Sequence, residues 1–323
     1  MSEALPREPD GLPSFAELLE RRDAPTPSTW GLFGADDEAG ALNVLGPAEV
    51  LRGVGCVQRG AVFSLDHPIG AFDSPHRPRA THTVLDLGRG WRDDYLDGFY
   101  LQATSQIDGL RHVSHHEHGF YNGADADRLV AGDPTLGVNR WADRGIVGRG
   151  VLVDLARHRE HQGRPLDHLA GEPISVAMLD ETIAAQGTVL EPGDLLLVRT
   201  DYEAHRRAHP GRRGHAGLEQ SMEMLAWLWD HRVPLVAADN VALECVPPVA
   251  SSPFLRPDAV DSNDALMHAH LIALFGMVVG ELWDLEALAA DCAADGRYEC
   301  LLVVKPLNLV GGVGSPPNAT AVK

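Results

Sequence analysis

Gly150-Val151-Leu152-Val153-Asp154-Leu155 is a short, mostly apolar run, and Asp194-Leu195-Leu196-Leu197-Val198-Arg199-Thr200 repeats the form. Runs of this length read as strands buried on both faces. Pro234–Ala238 and Cys300–Val304 look the same. Ala61–Leu65 and Thr81–Leu87 read as further strands. Helical patterns lie between and after them: Ile174–Gln186, Ser221–His231, Ala265–Leu274 and Leu285–Ala293. Strands interleaved with helices predict a single α/β domain built on a large mixed sheet.

Residues 1–29, with Pro6, Pro9, Pro13, Pro25 and Pro27, read as an arm around one short helix. Ser14 is placed to cap Phe15–Arg22, with Glu17 at the capping-box position. Ala48–Gly53 reads as another short helix starting near Pro47. The segments Asn122–Asn139 and His205–His215 read as long loops, and Gly311–Pro317 as a turn without the strand–helix setting of a phosphate loop.

Apolar residues make up 44% and charged residues 23% of the 323, the balance of a folded globular protein. The net charge of -19 argues against nucleic acid and against an anionic membrane surface as partners. No stretch reaches the roughly 20 apolar residues of a membrane span. The first ten residues have neither the basic start nor the apolar run of a signal peptide. The four cysteines, Cys56, Cys245, Cys292 and Cys300, show no CxxC spacing, which excludes a zinc ribbon. Such sparse thiols point to a cytoplasmic protein.

The densest polar segment runs from Gln102 to His118. If Tyr100–Asp108 is extended, Gln102, Thr104, Gln106 and Asp108 share one face. Burying four such groups without partners costs several kcal/mol. The plainer alternative is a solvated strand followed by a His-rich surface loop. Further on, His268 falls on a helical segment and Glu281 follows the apolar run Phe275–Val279, so two elements each offer one metal-type ligand. Asp239 and Asn240 end a buried-type strand, as functional groups or as an Asx turn. Cys245 has no histidine near it in sequence to support a nucleophilic role.

Taken together, the blocks resemble the cyclase family of metal-dependent hydrolases that includes bacterial kynurenine formamidase and isatin hydrolase. The resemblance covers residues 30–320. It rests on Trp30-Gly31 with Asp36-Asp37-Glu38, Leu42-Asn43, Gln106-Ile107-Asp108-Gly109 with His112, and Phe120-Tyr121-Asn122-Gly123. Gly145–Gly150, Gly193-Asp194, Ala238-Asp239-Asn240, and His268 with Gly280-Glu281 complete it. The hydrolase hallmark, His-x-Gly-Thr-His-x-Asp-x-Pro-x-His, falls on positions 102–112. Asp108 and His112 match it, whereas Gln102 and Gln106 stand in place of its first two histidines, as in a longer-chain branch of the family.

The resemblance implies a swivelling-type β/β/α domain over residues 30–323 with the sheet forming a partial barrel. It implies a divalent ion (Zn²⁺ or Mn²⁺, or Mg²⁺) on Asp108, His268 and Glu281, and His112 as general acid/base. Gln102, Gln106, Tyr121 and Asn122 would contact the substrate or its oxyanion. A homodimer or homotetramer is also implied. Two imidazoles fewer leave at most a reduced, one-ion site, because an amide oxygen is a weak ligand for Zn²⁺. The expected activity is metal-dependent hydrolysis of a cyclic amide, lactone or acyl-amide bond in a small molecule. The alternatives are a metal-independent cyclase, dehydratase or isomerase of a secondary metabolite using Asp108 and His112, and a non-catalytic ligand-binding relative.

Overall fold

The apolar runs occupy the middle of the sheet. The computed structural model describes residues 11–72, 74, 76–255 and 262–323. Its strands begin with β1 (Val62–Ser64), β2 (Thr81–Gly88), β3 (Trp91–Asp97), β4 (Gln106–Asp108), β5 (Ile146–Asp154) and β6 (Pro173–Ile174). They continue with β7 (Leu195–Arg199), β8 (Gly217–Leu218), β9 (Leu235–Ala238), β10 (Val278–Glu281), β11 (Glu299–Val304), β12 (Gly314–Ser315) and β13 (Thr320–Val322). Among the described residues, nine form one mixed sheet in the order β1-β13-β11-β5-β7-β9-β10-β4-β12, curled into a partial barrel.

The four central strands, β5, β7, β9 and β10, run parallel. Leu195–Leu197, Leu235–Ala238, Val278 and Val279 are fully buried, as continuous apolar sequence requires of a sheet covered on both faces. The helix Val176–Gln186 joins the second layer through Leu179 and Ile183. Its first turn is capped by the Ser175 hydroxyl, which accepts from the Met178 N–H. Met222–Asp230 is built alike, capped by Ser221, and buries Met224, Leu225 and Leu228.

The predicted N-terminal helix is present as Phe15–Glu20, with the reciprocal Ser14–Glu17 capping box. Phe15 stacks on Phe275 with ring centroids 6.0 Å apart, and the Trp229 indole donates to the Pro13 carbonyl at 2.8 Å. The described part of the arm thus shares the core of the body; Pro6 and Pro9 lie outside the described residues. Among the described residues no helix is long and apolar enough to cross a membrane.

Two expectations need correction. Tyr100–Asp108 is not one extended strand, since only Gln106–Asp108 pairs in the sheet. Side chains capture the backbone ahead of it: Arg77 donates to the Gln102 carbonyl at 2.6 Å, while the Ser105 hydroxyl accepts from the His67 N–H and donates to the Leu282 carbonyl. The region 205–215 is not all loop, because Tyr202–Ala208 is helical. Thr81–Gly88 is a strand, but one arm of an exposed hairpin whose other arm, Trp91–Asp97, is too charged to be read as a strand from sequence. Gly88, Arg89 and Gly90 turn it with positive φ.

One glycine is required by close approach. A Cβ on Gly280 would lie 2.4 Å from the Ala237 Cβ and 2.8 Å from the Trp283 Nε1, prying β10 from β9. Gly280→Ala should therefore lower stability by roughly 1–3 kcal/mol. Urea unfolding should show it as a reduced midpoint with an unchanged slope.

Candidate active site

β4 and β10 pair antiparallel, with Gln106 opposite Glu281 and Asp108 opposite Val279. Cross-strand partners share a face, as do residues two apart along a strand, so Gln106, Asp108 and Glu281 project to the same side. The Trp283 indole fixes the register by donating to the Gln106 carbonyl at 2.9 Å. His268 arrives from the head of the helix Ala269–Leu274. One donor atom each from Asp108, His268 and Glu281 lie within 4.8 Å of one another, and all three residues are buried.

Behind His268 stands Glu244, fully buried. Its Oε1 lies 2.7 Å from the His268 Nδ1, and its Oε2 accepts from the Met267 N–H at 2.7 Å. The His268 Nε2 is 3.2 Å from the Glu281 Oε1. Neutral imidazole has a single N–H, yet both ring nitrogens here meet carboxylate oxygens. The ring is therefore doubly protonated, unless a cation takes the place of the second proton. Burial alone would lower the His268 pKa; the hydrogen bonds and charges of Glu244 and Glu281 outweigh it and raise it well above the usual value. Glu281 is held below the usual carboxylate range, because His268 outweighs its burial. Asp108 moves the other way: burial pushes its pKa up.

Among the described residues, two buried acceptors at this point have no hydrogen-bond partner: the Asp108 Oδ2 and the Gln106 Oε1. Orphaned oxygens beside converging His and carboxylate donors fit a divalent cation. Glu244 supplies the carboxylate that typically orients a metal-binding imidazole. One imidazole with two carboxylates suits Zn²⁺ or Mn²⁺ and admits Mg²⁺.

Gln102 bridges the remaining pair. Its Nε2 lies 2.9 Å from the Asp108 Oδ1 and 2.8 Å from the His112 Nδ1. The amide nitrogen, not its oxygen, must face an ionised carboxylate. The other N–H then points at the His112 Nδ1, which accepts, so the ring proton sits on Nε2, 3.7 Å from the Asp108 Oδ1. Both amide hydrogens of Gln102 are spent in this way. Gln106 gives one to the Glu281 Oε2 at 2.8 Å. Gly314, paired with Asp108 on the outer edge of β4, leaves room for the Gln102 side chain; a Cβ there would be 3.0 Å from the Gln102 Cγ.

A cavity of about 700 Å³ opens over these groups, walled by His112, His268 and Glu281 with Arg77, Val241 and Phe254. Tyr121 and Asn122, expected at the substrate, do not reach it. The Tyr121 hydroxyl is buried against the Asp37 Oδ2 at 2.9 Å, and the Asn122 amide ties Gly31 to Gly34 and Asp37. Asp239 serves structure as well: its carboxylate accepts from the Thr200 N–H and hydroxyl and from the Tyr202 N–H. The Cys245 thiol is pushed up to about 11 by burial, which disfavours the thiolate.

Glu244 was invisible as a site residue in the sequence. Its signal was a lone acid inside the apolar Val241-Ala242-Leu243 and Cys245-Val246 surroundings, which burial would force to find a partner. A second mark lies in the backbone. Ala242, Leu243 and Leu282 all adopt positive φ, at 64°, 60° and 57°, in the two segments that deliver Glu244 and Glu281. Such strain, on the order of 1–3 kcal/mol per residue, gathers where surrounding structure enforces a functional geometry.

Comparison with known proteins agrees with this geometry. The Cyclase family profile matches residues 63–245. A crystal structure described as that of a novel cyclase is 33% identical, with a TM-score of 0.77 over 92% of this chain and 99% of the other. The chain belongs to the cyclase family. The profile takes in Gln102–His112 and Glu244 but ends before His268 and Glu281, which this family fold brings back to β4. Isatin hydrolase A from Labrenzia aggregata, bound to benzyl benzoate, shares the fold at 15% identity and a TM-score of 0.55, covering 83% of this chain and 94% of its own. Isatin hydrolase A from Ralstonia solanacearum does so at 16% and 0.54, covering 81% and 92%. A search of curated protein sequences gives no match.

The protonation of His268 has a measurable consequence. A cation binding at Nε2 must expel the proton that the raised pKa retains, so its affinity should climb with pH below that pKa and level off above it. The expected slope is about tenfold per pH unit for one displaced proton. Calorimetry in buffers of different ionisation enthalpy should count about one proton released per ion.

Proposed function

We propose that this chain is a metal-dependent hydrolase of a small molecule, acting on a cyclic amide, a lactone or an acyl-amide bond. The observation that carries the reading is the convergence of Asp108, His268 and Glu281 around an unpartnered Asp108 oxygen. The fold shared with two isatin hydrolases supports it. Asp108, His268 and Glu281 would hold the ion, which when bound polarises a carbonyl and lowers the pKa of water.

The chain's own groups do the rest. Glu244 keeps the His268 proton on Nδ1 and so leaves Nε2 as the ligand atom. Gln106 holds the Glu281 carboxylate in place. Gln102, with both hydrogens committed, positions His112 and does not donate to an oxyanion. His112 presents its Nε2–H beside the triad, where it stabilises negative charge growing on the substrate oxygen. Proton acceptance at Nε2 requires the Gln102 amide to turn over, so that its oxygen takes the Nδ1–H. That turn is disfavoured while Asp108 is ionised, because two oxygens would then face each other.

A second reading follows from the same amide. If Asp108 is the neutral acid, as its burial favours, the turned amide accepts from both Asp108 and the His112 Nδ1–H. His112 then offers a free Nε2 as a base, and the pair suits cyclisation, dehydration or isomerisation without an ion. Elemental analysis separates the two. The first predicts about one equivalent of metal and loss of turnover on chelation. The second predicts full activity without metal and a drop of about 10²–10⁴-fold in His112→Ala.

We also infer a homodimer or homotetramer joined through the hairpin. Trp91 is 71% exposed, Leu87 60% and Val84 59%, on a two-stranded ribbon that pairs with no other strand among the described residues. A lone ribbon is marginal in water, and its apolar surface suits a second copy of itself. Light scattering should report an oligomer for the wild type and a monomer for Leu87→Lys with Trp91→Lys.

A further inference from the structure

The cavity contains one permanent cation that the catalytic reading leaves unused. Arg77 lines the main cavity and an adjoining chamber of about 200 Å³, which meet at Ser74, Arg77, Val241 and Glu281. Arg77 is half-buried and spends one guanidinium N–H on the Gln102 carbonyl at 2.6 Å. No carboxylate pairs with it among the described residues. Arg199 and Arg149, which are buried more deeply, each meet two or more acids. The cavity's own carboxylates are taken: Glu281 by His268 and Gln106, Asp264 by other contacts. A half-buried arginine with open donors facing a cavity lacks only an anion.

The bridge between Ser74 and Arg77 presents that group together with a hydroxyl. Ser74 and Arg77 exchange backbone hydrogen bonds at 3.1 Å, and the Ser74 side chain caps the Arg77 N–H at 3.1 Å, which fixes the stem of the arginine. The residue whose carbonyl it grips, Gln102, is also the residue that bridges Asp108 and His112. An anion on Arg77 would therefore sit one glutamine side chain away from the reacting groups.

We propose that Arg77 anchors a carboxylate of the substrate, placing the scissile carbonyl over Asp108, His268 and Glu281; the substrate class is then an acyl-amide or cyclic compound bearing a free acid. This rests on the hydrolase reading for the bond cleaved, but not for the anchoring. A single planar guanidinium matches the two oxygens and single charge of a carboxylate. A phosphate would bring a second charge and a third oxygen, and the other arginine of the adjoining chamber, Arg206, is already paired with Glu203.

N-formyl-L-phenylalanine and its carboxamide have the same shape with and without the charge. Calorimetry should show the wild-type chain binding the acid on the order of tenfold or more tightly than the amide. The preference should survive chelator treatment, since Arg77 and not an ion carries it. Arg77→Gln should abolish the preference, any loss of the Gln102 contact weakening acid and amide binding alike, and Arg77→Lys should keep part of it. Equal affinity of the wild type for acid and amide, no binding of the acid, or an undiminished preference in Arg77→Gln would overturn the assignment. Hydrolysis is scored separately. A chain that prefers the acid through Arg77 yet holds no metal and cleaves nothing refutes the hydrolase reading alone. A metal-dependent hydrolase indifferent to Arg77 refutes the anchor alone.

Discussion

The antiparallel pairing of Gln106–Asp108 with Val278–Glu281 is the constraint on which the site depends. It sets Gln106 opposite Glu281 and Asp108 opposite Val279, so an amide and two carboxylates stand on one face. A slip of one residue in β4 would turn Gln106 and Asp108 into the opposite layer, away from Glu281. The Trp283 indole on the Gln106 carbonyl and the close contact of Gly280 with Ala237 hold the register from both sides. Because β10 also runs parallel to β9, the same strand ties the site to the most deeply buried part of the sheet.

Such a face is costly to build. Asp108, Glu244, His268 and Glu281 are all buried, and isolated charges there would each lose much hydration energy. The cluster avoids this by sharing: His268 lies between two carboxylates, Gln106 serves one of them, and Gln102 serves Asp108. What sharing leaves over, among the described residues, is one unpartnered oxygen on Asp108 and one on Gln106, beside the converging ligand atoms. The positive φ of Ala242, Leu243 and Leu282 shows that the backbone, too, is held away from its own preference at this place.

Much of this was legible in the sequence where the physics is local. Apolar runs such as Leu195–Val198 are strands because only burial on both faces suits them, and Ser14 caps its helix through the next turn. Asp108, His268 and Glu281 could be named through the family resemblance, but nothing in their spacing says that strand pairing unites them. What stayed hidden was set by distant partners. The extended reading of Tyr100–Asp108 failed because His67, Arg77 and Leu282, far away in the chain, take the bonds a neighbouring strand would have taken. Tyr121 and Asn122 look like site residues in a motif, yet both are braces for the segment Gly31–Asp37. Glu244 carries no motif at all; only its burial against His268 gives it a role.

The hydrogen bond from Arg77 to the Gln102 carbonyl also closes a ring of chain. Everything between those residues, the whole exposed ribbon included, hangs from a clasp whose two ends are fastened to the sheet side of the molecule. Loop-closure entropy grows only slowly with length, so a clasped insertion can lengthen, shorten or change sequence at little cost to the rest. The ribbon is therefore the part of this molecule most open to drift. A relative could acquire a different outer surface, and different company, while its inner chemistry stays as it was.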